Sequence, residues 1–224
     1  MTPAPIRLVI FDCDGVLIDS EGPANRLCAA EISKLGWILT QEECQARFMG
    51  FRLSDMPPVI EAQLGHPVPT GWVQMLCTRL IEMLGHESVL MPGAREAIEA
   101  VMQLGLPFRI ASNSSHEEMA VKFLRTGLTG LVQGRLHSAR DVAAGKPAPD
   151  VFLAAAMAEG VAPAQCLVIE DSVPGVRAAV AAGMRVLGID VHGDGAALRA
   201  VGARPIRAMS EVAGQVRLAL RSAA

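Results

Sequence analysis

The sequence predicts an α/β protein: a doubly wound parallel sheet, Rossmann-like in its core, with a small all-helical domain inserted after the first strand. Three observations carry this expectation. From Pro92 onward, short apolar runs alternate regularly with helical stretches, the pattern of strands covered on both faces by helices. Between about Gly22 and Gly85 that alternation stops, and only amphipathic helical runs occur. The first apolar run, 8–11, ends abruptly in Asp12-Cys13-Asp14-Gly15. An acidic pair is costly at the end of a strand buried on both faces, yet ligands of open α/β sheets bind at that end.

The elements follow in order. Residues 8–11 read as a buried strand, and Gly15 lets the chain leave it at once. Helical runs over 24–35, 42–48, 55–64 and 72–84 are separated by Gly36, Gly50, Gly65-His66-Pro67 and Pro69-Thr70-Gly71. Met49, Met56, Met75 and Met83 are expected to fill the interior of this insert. Its hinges fall at 15–20 and 85–92, which divides the chain into a core of 1–17 with 88–224 and a helical domain of 18–87. Pro92 and Gly105 bracket a helix over 93–104. A strand over 108–111, a helix over 116–125 stopped by Gly127, and a weaker strand over 131–137 come next. The remaining expectations are a helix over 149–159, a strand over 166–169, a helix over 174–182, a strand over 186–189, a weak strand near Ile206, and a helix from 211 to about 220.

Composition narrows the function. The chain has 224 residues, 51% hydrophobic and 19% charged, with a mean hydropathy of +0.34. No apolar run approaches the roughly 20 residues of a membrane-spanning helix, and residues 1–5 lead straight into the first strand, so neither a signal peptide nor a membrane partner is expected. The net charge is −3 with 20 scattered basic residues, which points away from nucleic acid. Cys13, Cys28, Cys44, Cys77 and Cys166 are odd in number and lack metal-ligand spacing, as befits reduced thiols in a cytoplasmic protein. The five histidines lack the paired helical spacing of a metal site.

Four patches carry chemistry. Asp12 and Asp14 close the first strand. Ser112-Asn113-Ser114-Ser115 follows the strand over 108–111 and opens a helix, where a hydroxyl and backbone N–H groups can cradle phosphate. Gly145-Lys146-Pro147 holds a lysine in a non-helical turn, and Glu170-Asp171-Ser172 ends another strand. A doubly wound sheet brings these strand ends into one crevice. Asp12, Asp14, Glu170 and Asp171 then face Lys146, four negative charges against one positive. A divalent cation relieves that crowding, and few oxygen ligands on short side chains favour Mg²⁺. A phosphate dianion fits beside it, held by the ion, Lys146 and the Ser112 hydroxyl, with Asn113 as a further phosphate-binding candidate.

With these motifs in this order, the chain resembles the haloacid dehalogenase-like hydrolase superfamily over nearly its whole length. Asp12-Cys13-Asp14-Gly15 stands as the first motif, Ser112-Asn113 as the second, Lys146-Pro147 as the third and Glu170-Asp171-Ser172 as the fourth. The helical insert is similar to the family's small cap, found in β-phosphoglucomutase, phosphoglycolate phosphatase and sugar-phosphate phosphatases. The resemblance implies that Asp12 is the nucleophile that forms an aspartyl-phosphate, and that Asp14 is the general acid and base. It implies that Lys146 and Ser112 assist catalysis, that Asp12, Asp171 and the Asp14 carbonyl hold Mg²⁺, and that Glu170 either holds it too or positions a water bound to it. Dehalogenases of the superfamily lack the second aspartate, so Asp14 argues against that branch.

Two activities stay open. The expected one is Mg²⁺-dependent hydrolysis of a small phosphorylated sugar, polyol or acid by a monomer or weak homo-oligomer. The alternative is a phosphomutase of the β-phosphoglucomutase type. Those mutases carry a cap histidine where this chain has Ala24, and a cap arginine after a glycine similar to Gly50, where this chain has Leu53 with Arg52 adjacent. Arg47, Arg52 and Arg79 are the candidate residues for substrate specificity.

Overall fold

Periodicity of two in Leu8–Phe11 sends alternate side chains to opposite faces, and both faces are covered. Val9 and Phe11 join one apolar cluster; Leu8 and Ile10 join another on the far side. The computed structural model describes residues 4–48, 51, 53–191 and 193–221; Met49, Gly50 and Arg52 lie outside them. The chain divides into two units, Met1–Asp19 with Val89–Ala224, and Ser20–Ser88.

In chain order the elements are β1 (Leu8–Phe11), β2 (Ile18–Asp19), α1 (Glu21–Lys34), α2 (Gln41–Phe48), α3 (Pro57–Leu64), α4 (Trp72–Glu87), β3 (Val89–Leu90), α5 (Ala94–Gln103), β4 (Phe108–Ser112), α6 (His116–Arg125), α7 (Thr129–Val132) and β5 (Leu136–Ser138). Then come α8 (Asp150–Ala158), β6 (Cys166–Glu170), α9 (Val173–Ala181), β7 (Arg185–Ile189), α10 (Ala196–Ala200), β8 (Arg204–Ile206) and α11 (Val212–Arg221). Short 3-10 turns cover Leu53–Asp55, Ala139–Asp141, Pro163–Gln165 and Met209–Glu211.

The first unit holds a six-stranded sheet in the order β5-β4-β1-β6-β7-β8, parallel throughout. From β1 the chain builds outward through β4 and β5, then returns to lay β6, β7 and β8 on the other side. This reversal is the doubly wound topology, and it places the switch point beside β1. Ile98, Met119, Phe123, Val212 and Val216, from α5, α6 and α11, pack on one face. Val151, Phe152, Val176, Ala179 and Leu198, from α8, α9 and α10, pack on the other.

Some expectations are corrected. The weak strand over 131–137 is a helical turn, Thr129–Val132, followed by the strand Leu136–Ser138. Gly134 at φ +73° separates them, a backbone shape glycine adopts without steric cost. Gly85 does not end a helix but sits inside α4, which continues to Glu87. Ile18 and Asp19 pair antiparallel with Leu90 and Val89, so they belong with the sheet unit and the division falls after residue 19.

Among the described residues of Ser20–Ser88, every helix or strand is helical. Ile32, Cys44, Phe48, Ile60, Trp72 and Leu76 form its interior. Glu31 is buried there, and Lys34 and Arg79 both bond its Oε1. None of the described helices is long and apolar enough to cross a membrane.

Candidate active site

Register brings the chemistry together. Phe11 is level with Ile110 of β4 and Ile169 of β6, so Asp12, the end of β4 and Glu170 emerge side by side from three adjacent strands. The Asp12 N–H still donates to the Ile169 carbonyl at 2.9 Å, which anchors this aspartate to the sheet. Gly15 then turns the chain back, its N–H bonded to the Ile18 carbonyl at 2.8 Å. Only glycine serves at this position. Its φ is +76°, and a Cβ would lie 1.9 Å from Asp171 Oδ2.

Asp12, Glu170 and Asp171 each offer an oxygen within 4.8 Å of the others. Lys146 bonds two members of this group. Its side chain is 4% exposed, its ammonium bonds Asp12 and meets Glu170 Oε1 at 2.8 Å, and Nζ stands 4.6 Å from the centre of the Phe152 ring. Burial, Glu170 and Asp14 push the Asp12 carboxyl up to about 7, against the lowering pull of Lys146. Burial alone would lower Lys146, but the two carboxylates it touches raise it. Glu170, 1% exposed, also accepts at Oε2 from the Asp171 and Ser172 N–H groups and the Ser172 hydroxyl, at 2.8 to 2.9 Å. It holds Lys146 and the loop after β6 in place.

Asn113 and Lys146 are joined across the crevice. The Lys146 N–H donates to Asn113 Oδ1 at 2.9 Å, and Asn113 Nδ2 donates to the Lys146 carbonyl at 3.3 Å. The Asn113 side chain, expected to face phosphate, is thus engaged with the lysine loop. Ser112 is 1% exposed; its Oγ accepts from the Ser114 N–H at 3.0 Å and faces Asp14 Oδ2 at 3.4 Å. The N–H groups expected to form a cradle at the start of α6 are partly spent. Ser115 and Glu118 form a reciprocal capping box, and the Ser114 N–H is bonded to Ser112.

One residue that sequence reasoning did not single out completes the picture. Lys122 of α6 places Nζ 2.6 Å from Asp14 Oδ1 and 2.8 Å from Ser114 Oγ. Ser114 Oγ in turn donates to Asp14 Oδ2 at 2.8 Å. The site therefore holds two cations against four carboxylates, not one. Burial disfavours the Lys122 charge, and Asp14 more than restores it. The signal was a lysine among Met119 and Phe123, on the helix face that joins the core.

The specificity candidates divide. Arg79 is committed to Glu31, Arg47 lies 4.9 Å from the centre of the Trp37 ring, and Arg52 is outside the described residues.

The family model for haloacid dehalogenase-like hydrolases matches residues 6–183. Hexitol phosphatase B of Escherichia coli (strain K12) is 33% identical over 190 residues, covering 82% of this chain and 83% of that protein. Protein SUPPRESSOR OF QUENCHING 1 of Arabidopsis thaliana is 30% identical over 210 residues, 90% of this chain, which spans only 19% of that longer protein. A solved hydrolase of the haloacid dehalogenase family from Deinococcus radiodurans R1, with bound phosphate and sodium, shares 32% identity and a TM-score of 0.80 over 96% of this chain and 97% of its own. A protein described as a candidate β-phosphoglucomutase from Thermotoga maritima shares 25% identity and a TM-score of 0.78 over 95% and 99%.

Proposed function

The chain belongs to the haloacid dehalogenase-like hydrolases, and on that premise we propose that it is a Mg²⁺-dependent phosphatase of small sugar, polyol or acid phosphates. The observation that carries this reading is the division of labour between the two aspartates. Asp12 shares one cluster with Glu170, Asp171 and Lys146, while Asp14 is held separately by Lys122 and Ser114. One is set as a nucleophile, the other as an acid and base.

The donor set fits a hard divalent cation: oxygen atoms only, three of the donors being carboxylates, with an Asp12 whose crowding raises its affinity for any positive charge. Asp12, Asp171, Glu170 and the Asp14 carbonyl would hold it, where the ion offsets repulsion between carboxylate and phosphate dianion. An Asp12 oxygen attacks phosphorus as the bond to the alcohol oxygen breaks, and Asp14 gives that oxygen a proton. Water then attacks the aspartyl-phosphate, Asp14 takes its proton, and the bond between phosphorus and Asp12 breaks. Lys146 and the Ser112 hydroxyl hold the phosphoryl oxygens. The phosphatase name of the Escherichia coli relative and the phosphate bound in the Deinococcus structure support this reading. In this reading the helical unit, Ser20–Ser88, serves as the cap, and the setting is cytoplasmic.

The test is trapping of labelled protein with a reactive phosphoryl donor and Mg²⁺. The parent should take up label and release phosphate, and chelator should stop both. Asp12→Asn should take up none and lose at least about 10³-fold in turnover. Label retained by Asp12→Asn would overturn the assignment.

A further inference from the structure

We propose that Lys122 is a positioning residue for Asp14, fixing the direction in which that carboxylate delivers its proton to the leaving alcohol. The inference rests on the phosphatase reading above and extends it to a residue outside the four motifs.

Lys122, Ser114 and Asp14 form a closed ring: Nζ to Oδ1 at 2.6 Å, Nζ to Ser114 Oγ at 2.8 Å, and Ser114 Oγ to Oδ2 at 2.8 Å. With both oxygens anchored, the carboxylate cannot rotate about its last bond. The fold itself does not call for this arrangement. Asp14 stands in the turn after β1, and the Lys122 side chain is 3% exposed beside the buried Met119 and Phe123. An apolar residue there would serve packing at lower desolvation cost, since a buried ion pair is weak evidence for stability. The ring also ties α6 to Asp14 through Ser114, whose carbonyl accepts from Ser138 Oγ at 2.7 Å. The orientation of Asp14 is thus fixed from β5 as well as from α6.

When Asp12 forms its bond to phosphorus, the bond to the leaving oxygen breaks and that oxygen takes the Asp14 proton. An alkoxide leaving group requires that proton, whereas a nitrophenolate barely does. The value of kcat/KM reports only steps through the first irreversible one, here formation of the aspartyl-phosphate. Loss of Lys122 should therefore appear in kcat/KM according to leaving group.

The experiment compares kcat/KM of the parent, Lys122→Met and Lys122→Arg on two esters with Mg²⁺. One is whichever of the glycerol, hexitol and sugar phosphates the parent turns over fastest; the other is p-nitrophenyl phosphate. Lys122→Met should lose at least about tenfold more on the alkyl ester than on the aryl ester, and Lys122→Arg should regain most of that difference. Equal losses on both esters, as a smaller active fraction would give, overturn the proposal, and so does no loss. Should Lys122→Met fail to fold, Ser114→Ala opens the same ring; it should show a leaving-group-dependent loss of about threefold or more, and equal losses again overturn the proposal. A parent without Mg²⁺-dependent turnover of either ester refutes the phosphatase reading and this inference together, whereas turnover with equal losses refutes the inference alone.

Discussion

Asp12 carries the electrostatic tension of the site. Its carboxyl is raised to about 7 by burial first, with Lys146 offsetting part of that rise and Glu170 and Asp14 adding to it. A raised carboxyl holds its proton in the metal-free protein below that pH, so a cation must displace the proton to bind. Half-saturating Mg²⁺ should rise about tenfold for each pH unit below 7 and level off above about 8. Magnesium titrations of activity at pH 6, 7 and 8 check this; a half-saturation that does not change with pH would mean that Asp12 is already ionised. At this scale much of the site was legible. Asp12, Glu170 and Ser112 stand at strand ends, where an apolar run stopped by polar residues is a weak signal alone and a telling one when several converge on one crevice. Lys146 was less so, because a lysine before a proline reads as a surface turn until its partners are placed. Lys122 was not legible, since helical lysines normally face water and its partner lies 108 positions away.

The strands and helices answer to local pattern wherever the pattern is long. The span predicted for β1 and the span predicted for α6 agree with the structure to the residue, the first from an unbroken apolar run and the second from stop signals at both ends. Short elements escaped. The β2–β3 ribbon has two residues per strand and exists only because residues about 70 apart meet. The five-residue α10 follows Gly195, at φ +71°, beside Asp190, whose carboxylate accepts from the Gly193 and Gly195 N–H groups. Such contacts are tertiary and leave no periodicity. Strand β1 is the element on which the rest depends, flanked by β4 and β6 and buried on both faces. Ile10→Ala should destabilise the protein by about 2–5 kcal/mol through lost burial and an unfilled cavity. Chemical denaturation measures this, and the activity of the remaining folded fraction should be close to that of the parent. A loss under about 1 kcal/mol would mean the sheet can close over the gap.

At the scale of the whole molecule, the motifs of the sheet unit define phosphoryl transfer but do not choose its acceptor. In the proposed mechanism, hydrolysis and mutase activity would share Asp12, Asp14, Lys146 and the Glu170-Asp171 pair, and only the fate of the aspartyl-phosphate would separate them. Transfer back to a sugar requires water to be excluded and the bound sugar phosphate to be held in a defined orientation. The mutases supply a histidine and an arginine from the helical unit for that purpose, where this chain has Ala24 in α1 and Leu53 packed against the interior of its own helical unit. Neither side chain offers a hydrogen bond. Water should therefore win: with β-glucose 1-phosphate and a trace of the bisphosphate, inorganic phosphate should form faster than glucose 6-phosphate. Following both products over one time course decides the matter. Isomerisation outrunning phosphate release by tenfold, a barrier difference of about 1.4 kcal/mol, would make the chain a mutase in spite of Ala24 and Leu53. The groups that steer the sugar would then have to come from other residues of the helical unit.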